Sequence, residues 1–194
     1  SGLKSSKAFF TLCFIFYSLN QLNLYKVFRI ITKMQGSKDS VKINPWQVEG
    51  KLGKEDYKRL IKEFGTQQIT PEILDRIKKH TKDLHPLLRR EIFFSHRDLN
   101  WVLDEYEKGN KFYLYTGRGP SGKTHIGHLV PWILTKWLQD KFDADLWFQM
   151  TDDEKFLFND NLTLQETNKL SYENALDVIA LGFNPKKTFI FSNL

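Results

Sequence analysis

Two histidines on either side of a glycine are the residues of this sequence best suited to act on a phosphate. They are His125 and His128 in the stretch His-Ile-Gly-His, and residues three apart lie on one face of a helix. Imidazoles placed in this way can donate hydrogen bonds to a phosphate as negative charge develops during a displacement. Gly127 would allow a planar base to approach the backbone closely. The spacing indicates a nucleotide site at a helix N-terminus.

The residues just before this stretch carry a second phosphate pattern. Gly117 to Thr124 spell Gly-Arg-Gly-Pro-Ser-Gly-Lys-Thr, which fits the P-loop pattern G-x-x-x-x-G-K-[ST]. In that interpretation the loop amides cradle phosphates, Lys123 reaches the terminal phosphates and Thr124 binds Mg²⁺. A P-loop NTPase is therefore an alternative function. The paired histidines and Gly127 count against it, because P-loop chemistry has no use for them.

The elements that must position these residues follow the order strand, helix, strand, helix, strand. The pattern predicts strands over 111–116, 145–150 and 187–191, and helices over 125–140 and 163–182. This order is typical of an α/β fold, here the first half of a Rossmann-type doubly wound parallel sheet. Ligands bind such sheets at the carboxyl ends of the strands, and both phosphate motifs follow the first predicted strand.

Two further features of the predicted helices follow from their residues. Pro131 should bend or locally break the helix over 125–140. The helix over 163–182 has five apolar residues that are predicted to lie on one side, namely Leu164, Leu170, Ala175, Val178 and Ile179.

The bulk composition excludes some classes of protein. With 194 residues and 41% hydrophobic content, the chain is long enough to bury a core. Its single cysteine, Cys13, excludes disulfide cross-links and cysteine-based zinc sites, and we predict no protein metal site. The net charge of +6 is uneven, because residues 51–90 alone carry +5. That basic block suits a polyanion such as tRNA, or else it is a solvated helical face.

The first 33 residues differ in composition from the rest. They hold five basic residues and no acidic one, and their apolar run from Ala8 to Leu19 is too short to span a bilayer as a helix. Such a segment is typical of a signal-peptide core or an organelle leader. The alternative, which we favour, is that residues 1–33 are non-native sequence before a start at Met34. We expect no membrane partner.

The remaining chain divides into two predicted parts. Residues 34–110 are predicted to form an N-terminal turn and helical segment. Its predicted helices cover 55–64, 70–80 and 96–108, with a connector or short helix over 86–95. Residues 111–194 are predicted to form the first half of the Rossmann-type domain.

An ordered series of motifs over residues 42–194 resembles the eukaryotic type of tryptophanyl-tRNA synthetase, a class I aminoacyl-tRNA synthetase. The series comprises Asn44-Pro-Trp, Ile92-Phe-Phe-Ser-His-Arg-Asp, Tyr115-Thr-Gly-Arg-Gly-Pro-Ser, His125-Ile-Gly-His, Thr135-Lys-Trp-Leu-Gln and Gln149-Met-Thr-Asp-Asp-Glu-Lys. Each motif alone is weak. Their occurrence in order, with matching separations, is specific.

The resemblance implies that the intact protein is a ligase that activates L-tryptophan with ATP and transfers it to tRNA(Trp). It implies ATP with Mg²⁺ as the cofactor, a cytoplasmic location and a homodimer. The catalytic residues implied are His125 and His128. The ATP-binding residues implied are Trp46, Gly117, Arg118, Gly119, His125, Gly127 and His128.

The resemblance also implies a tryptophan site. Tyr115 and Gln149 would recognise the indole N–H, and Glu154 would reach the α-amino group. The chemistry agrees, since a buried N–H needs an acceptor, and such discrimination can reach roughly 10⁴–10⁵-fold. It also accounts for Gln149 on an otherwise apolar strand. Asp152 and Asp153 are expected to cap the next helix rather than to contact substrate.

One family feature is missing from the sequence. Class I synthetases carry a second signature, Lys-Met-Ser-Lys-Ser or a variant, after the last strand of the sheet, and it does not occur here. No anticodon-binding helical domain follows. We therefore expect this sequence to be a partial chain that lacks catalysis by itself.

Overall fold

The computed structural model describes residues 11–13, 42–44, 47–49 and 54–194, with side chains from residue 58 onward. The strands are β1 (Thr11–Cys13), β2 (Lys42–Asn44), β3 (Gln47–Glu49), β4 (Gln67–Gln68), β5 (Ser95–His96), β6 (Tyr113–Arg118), β7 (Asp145–Met150) and β8 (Thr188–Ser192). The helices are α1 (Lys54–Glu63), α2 (Pro71–Thr81), α3 (Pro86–Arg89), α4 (Leu99–Glu107), α5 (Ile126–Phe142), α6 (Asp152–Leu157) and α7 (Leu164–Ala180). Trp46, and the predicted leader apart from β1, lie outside the described residues.

A parallel sheet with the strand order β1, β6, β7, β8 forms the centre of the described structure. The crossovers from β6 to β7 and from β7 to β8 contain α5 and α7, as a βαβ arrangement requires. The predicted α/β fold is therefore confirmed. Two antiparallel pairs, β2 with β3 and β4 with β5, lie outside this sheet.

The helices α5 and α7 cover one face of the sheet. Alternate strand residues point to that face, and Leu146 and Phe148 are fully buried there. Trp132 of α5 packs edge-on against Phe148, with ring centroids 5.3 Å apart. The opposite face carries exposed aromatic rings, where Trp147 stacks on Phe189 with centroids 4.7 Å apart. This one-sided covering is what half of a doubly wound sheet should show.

Strand β6 differs from its prediction at both ends. It begins at Tyr113 and continues through Gly117 and Arg118, which pair in register with Gln149 and Met150 of β7. The strand therefore extends two residues beyond its predicted end at residue 116. The turn begins at the next residue, because the ladder with β7 extends to the end of that strand.

Helix α5 runs through Pro131 without interruption, so a local break there is wrong, and the alternative of a bend stays a prediction. Helix α7 corrects a second expectation. Val178 is fully buried, but Leu164 and Ile179 are 43% and 60% exposed. The buried positions of this helix are mainly small polar residues, namely Thr167, Ser171 and Asn174. At the end of the sheet Asp152 accepts from Ser171 and Arg118 donates to Asn174, whereas the Thr167 hydroxyl donates to the Leu164 carbonyl of its own helix.

The N-terminal helices agree with their predictions to within a few residues. Thr70 is at the N-cap of α2 and Pro71 is its first residue, although the Thr70 side chain makes no capping hydrogen bond. Helix α4 begins at Leu99 rather than at residue 96, because His96 belongs to β5 and Asp98 has a left-handed backbone with φ 58°. No helix within the described ranges is long and apolar enough to cross a membrane.

The basic block is partly neutralised within the fold. Arg76 of α2 pairs with Asp104 at 2.6 Å and Glu107 at 3.1 Å on α4. These acids hold the pKa of the Arg76 guanidinium above its usual value. Arg76 therefore serves to join two helices, which reduces the charge of the block that remains for a polyanion.

Candidate active site

The two histidines cap the N-terminus of α5 through their own side chains. His125 Nδ1 accepts a hydrogen bond from the Gly127 backbone N–H at 3.2 Å, and His128 Nδ1 accepts from the His125 backbone N–H at 3.1 Å. Since each Nδ1 is an acceptor, the proton of each neutral ring lies on Nε2. The ring centroids are 3.8 Å apart. The structure thus brings together two Nε2–H donors, as the motif predicts.

His128 is held in its neutral form. The ring is half-buried, and burial is the main cause that lowers its pKa from 6.5 to about 4, with smaller contributions from Arg118 and His125. A neutral ring at neutral pH keeps its Nδ1 lone pair for the cap and its Nε2–H for a ligand. The donor role therefore does not depend on a charged imidazolium.

This pKa shift predicts a pH dependence of stability. The unfolded chain binds a proton on His128 below about pH 6.5, whereas the folded chain resists protonation until about pH 4. The stabilisation is present above the unfolded pKa and is lost as the pH falls through this window. We expect urea unfolding midpoints of the parent to fall more than those of His128→Gln between about pH 7 and about pH 4.5. An equal fall in both proteins would contradict this assignment.

Arg118 is buried and is bound within the protein. Its Nε donates to Asn174 Oδ1 at 2.8 Å, and its Nη2 donates to the Gly122 carbonyl at 3.3 Å. Asn174 Nδ2 also donates to the Gly122 carbonyl, at 3.1 Å. Burial lowers the pKa of Arg118, while Asp177 opposes that shift. These contacts tie the loop before His125 to helix α7, and an ATP contact by Arg118 stays a prediction.

The three glycines assigned to ATP binding allow close approaches. A Cβ atom on Gly117 would lie 2.6 Å from the backbone oxygen of Gln149. A Cβ on Gly119 would lie 2.1 Å from Cε of Lys155, so that lysine crosses directly over the turn. A Cβ on Gly127 would lie 3.1 Å from the His125 ring, which is the nearest neighbour here. The glycines therefore serve packing within the site, and their contact with ATP stays a prediction.

A chain of polar side chains runs from the middle of β6 to the carboxyl ends of β7 and β8. The Tyr115 hydroxyl donates to Gln149 Oε1, which brings the two predicted indole-recognising residues together. Gln149 Nε2 donates to Asn193 Oδ1 at 2.7 Å, and Asn193 Nδ2 donates to Asp153 Oδ1 at 2.8 Å. Glu154, the predicted ligand of the α-amino group, is half-buried in α6 directly after β7.

Comparison with known proteins shows what this chain is similar to. The family model described as tRNA synthetases class I (W and Y) matches residues 107–194. Tryptophan–tRNA ligases of Pyrococcus furiosus and Saccharolobus solfataricus are 54% and 56% identical to the chain, over 80% of it and 40% of their own length. Over these residues the chain is similar to the class I tRNA synthetases of the W and Y type. It spans about 40% of the length of these relatives.

Solved synthetase structures show the same fold. Tryptophanyl-tRNA synthetase from Plasmodium falciparum superposes with a TM-score of 0.69 at 50% identity, covering 71% of this chain and 38% of that one. Tryptophanyl-tRNA synthetase from Trypanosoma brucei superposes with a TM-score of 0.67 at 52% identity, covering 71% of this chain and 42% of that one. A structure from Encephalitozoon cuniculi, bound to tryptophan, gives 0.68 at 46% identity, covering 71% and 39%. The predicted resemblance to tryptophanyl-tRNA synthetases is confirmed.

The P-loop interpretation does not fit the geometry of the loop before α5. In a P-loop the Lys-Thr pair opens the helix, whereas α5 begins at Ile126, after both Lys123 and Thr124. The Thr124 hydroxyl donates to Asn174 at 3.4 Å, so it is directed to helix α7. The pattern at 117–124 is therefore a coincidence within a synthetase loop.

Asp152 has a role that sequence reasoning missed. It is fully buried, and its Oδ2 accepts from the Ser192 hydroxyl at 2.6 Å and the Ser171 hydroxyl at 3.3 Å. Its Oδ1 accepts from the backbone N–H groups of Asn193 at 3.2 Å and Asp153 at 3.3 Å. The expectation that Asp152 caps the next helix is wrong, because it begins an unpredicted helix, α6. It joins the ends of β7 and β8 to α7.

Proposed function

We propose that the protein containing this chain is a tryptophan–tRNA ligase. It would join L-tryptophan to ATP as tryptophanyl-adenylate and then transfer the tryptophanyl group to tRNA(Trp). The observation that carries the proposal is the hydrogen bond from Tyr115, in the middle of β6, to Gln149, near the carboxyl end of β7. This pair of acceptors lies at the same end of the sheet as the histidine-capped start of α5.

Recognition of tryptophan would rest on hydrogen-bond direction. The indole N–H is a donor only, and the Tyr115 hydroxyl and Gln149 Oε1 both have oxygen lone pairs that can accept it. Phenylalanine has no such donor and would leave these groups unpaired, so polar selection of roughly 10⁴–10⁵-fold is attainable. The Glu154 carboxylate would accept hydrogen bonds from the α-ammonium group.

Activation of tryptophan would be an in-line displacement at the α-phosphorus of ATP. A carboxylate oxygen of tryptophan forms the new P–O bond, the bond to the β-phosphate oxygen breaks, and pyrophosphate leaves with its electron pair. His125 and His128 would donate their Nε2–H groups to phosphate oxygens as charge develops there. Catalysis in this scheme is positioning and electrostatic stabilisation.

Further parts of the ATP site rest on the family resemblance. Trp46, Gly117, Arg118, Gly119 and Gly127 are its proposed contributors. Mg²⁺ would arrive with the ATP phosphates, as Mg²⁺ commonly does. The carboxylates near the site agree with Mg²⁺ that arrives with ATP and is not held by the protein, because their oxygens are largely occupied. Both oxygens of Asp152 and one oxygen of Asp153 already accept hydrogen bonds.

Three broader properties are also proposals. The basic residues of 51–90 would contribute to contact with tRNA(Trp). A homodimeric assembly and a cytoplasmic location are supported by the family resemblance. Sedimentation of the natural protein would test the assembly, since a monomer at micromolar concentration would contradict it.

Tryptophan-dependent ATP–pyrophosphate exchange, measured on the full natural protein that contains this sequence, tests the proposed function. We expect exchange to require L-tryptophan and to be undetectable with L-phenylalanine. Exchange that is equal with and without tryptophan would overturn the proposal. Tryptophan-independent ATP hydrolysis that disappears in Lys123→Ala would instead favour a P-loop enzyme.

A further inference from the structure

The side-chain amide of Gln149 has a defined direction in the polar chain at the strand ends. Its oxygen accepts from the Tyr115 hydroxyl, and its nitrogen donates to Asn193 Oδ1 at 2.7 Å. An amide rotated by half a turn would present its NH₂ group towards Tyr115. The direction of this amide therefore decides whether the site offers a ligand an acceptor or a donor.

The far end of the chain is a carboxylate, which imposes that direction. Asp153 Oδ1 accepts from Asn193 Nδ2 at 2.8 Å and from the Glu154 backbone N–H at 2.7 Å. An ionised carboxylate only accepts, so the NH₂ group of Asn193 must face Asp153 and its oxygen must face Gln149. The NH₂ group of Gln149 must then face Asn193. The acceptor-only carboxylate of Asp153 thus fixes the direction of each hydrogen bond along the chain, up to the oxygen of Gln149.

We propose that Asn193 is a positioning residue that makes the ligand site selective for aromatic amino acids whose ring carries an N–H donor. It does so by holding the Gln149 oxygen, rather than the nitrogen, on the side of Tyr115. This inference rests on the proposed function and deepens it. A Gln149 amide released from Asn193 samples both directions, and in the reversed one its NH₂ group opposes the indole N–H.

Sequence reasoning did not single out Asn193, because its partners lie far along the chain. Gln149 is 44 residues and Asp153 is 40 residues away. Asn193 follows directly after β8, and the pairing of β8 with β7 brings it beside Gln149. The residue is exposed, so replacing it leaves the buried core intact.

The test compares Asn193→Leu with Asn193→Asp in the full natural protein. The measured quantity is the ratio of kcat/KM in ATP–pyrophosphate exchange for L-tryptophan to that for its benzothiophene isostere, in which sulfur replaces the N–H group. We expect Asn193→Leu to lower this ratio about tenfold or more, with the KM for ATP within about twofold of the parent. Asn193→Asp, made together with Asp153→Asn so that two carboxylates do not face each other, keeps an acceptor for Gln149 Nε2 and should stay within about threefold of the parent ratio.

A second variant acts at the other end of the chain. Asp153→Ala removes the group that orients Asn193, and the ratio should fall by about threefold or more. A parent-like ratio in Asn193→Leu, or equal losses in the Leu and Asp variants of Asn193, would overturn the positioning role. Failure of the proposed function looks different, because the parent itself would then show no tryptophan-dependent exchange.

Discussion

Replacing His128 with Asn is expected to slow tryptophan-dependent ATP–pyrophosphate exchange about 10²–10³-fold while α5 keeps its cap. The Asn oxygen takes the place of Nδ1, which accepts the His125 backbone N–H at 3.1 Å. The Nε2–H donor is lost, and that donor is the part of the ring proposed to stabilise charge on the phosphate. The rate of ATP–pyrophosphate exchange would measure the loss of activity, and urea unfolding of the same variant would measure whether the cap is kept.

The matched control is His128→Gln, which should keep the donor at Nε2 and lose the acceptor at Nδ1. The Gln amide nitrogen reaches the position of Nε2 and keeps a donor, but the cap is lost. We expect this variant to retain more activity than His128→Asn and to lose about 1 kcal/mol of unfolding free energy. If both variants lost activity equally and neither changed in stability, the division of roles between Nδ1 and Nε2 would be wrong.

Replacing Asp152 with Ala is expected to lower the free energy of unfolding by about 3 kcal/mol. The reason is that two backbone N–H groups and two hydroxyls lose a common acceptor at a fully buried position. The ends of β7 and β8 would separate from α7, so kcat/KM for tryptophan should fall as well. Urea unfolding monitored by circular dichroism would measure the change in stability.

Asp153→Ala provides the neighbouring comparison. Asp153 is only half-buried, and its Oδ1 accepts from the Glu154 backbone N–H and from Asn193. We expect this variant to lose less than about 1.5 kcal/mol, since water can reach the released groups. Similar losses for the two aspartates would show that Asp152 has no special role in joining the strand ends.

The strands could be predicted from the sequence because the alternation of apolar and polar residues along a strand is a local pattern. The bounds of β7 were predicted to the residue, since Leu146, Phe148 and Met150 alternate towards the core. The resemblance to tryptophanyl-tRNA synthetases assigned Tyr115 and Gln149 to one site, and the structure places the two side chains in hydrogen-bond contact. The bounds of β7 need only the period of a strand, whereas the assignment of Tyr115 and Gln149 needed the family motifs.

Helix α7 shows where local reasoning stops. Its apolar residues predict an apolar buried side, yet Leu164 and Ile179 are exposed and Asn174 is buried. The reason is that the sheet presents charged groups to this helix. Asn174 receives the Arg118 guanidinium, 56 residues away in sequence, and no periodicity in the sequence records that partner.

By itself, the sequence determined the α/β order and the paired histidines, because element order and residue type are local properties, and its family resemblance predicts Tyr115 and Gln149 as the acceptors for an indole. The tertiary structure alone decided how these groups are held. It placed Asp152 among four donors, bound Arg118 to Asn174, and set the direction of the Gln149 amide through Asn193. Hydrogen-bond direction and burial depend on which distant residues meet. Those contacts arise only when the strands pair and the helices pack on them.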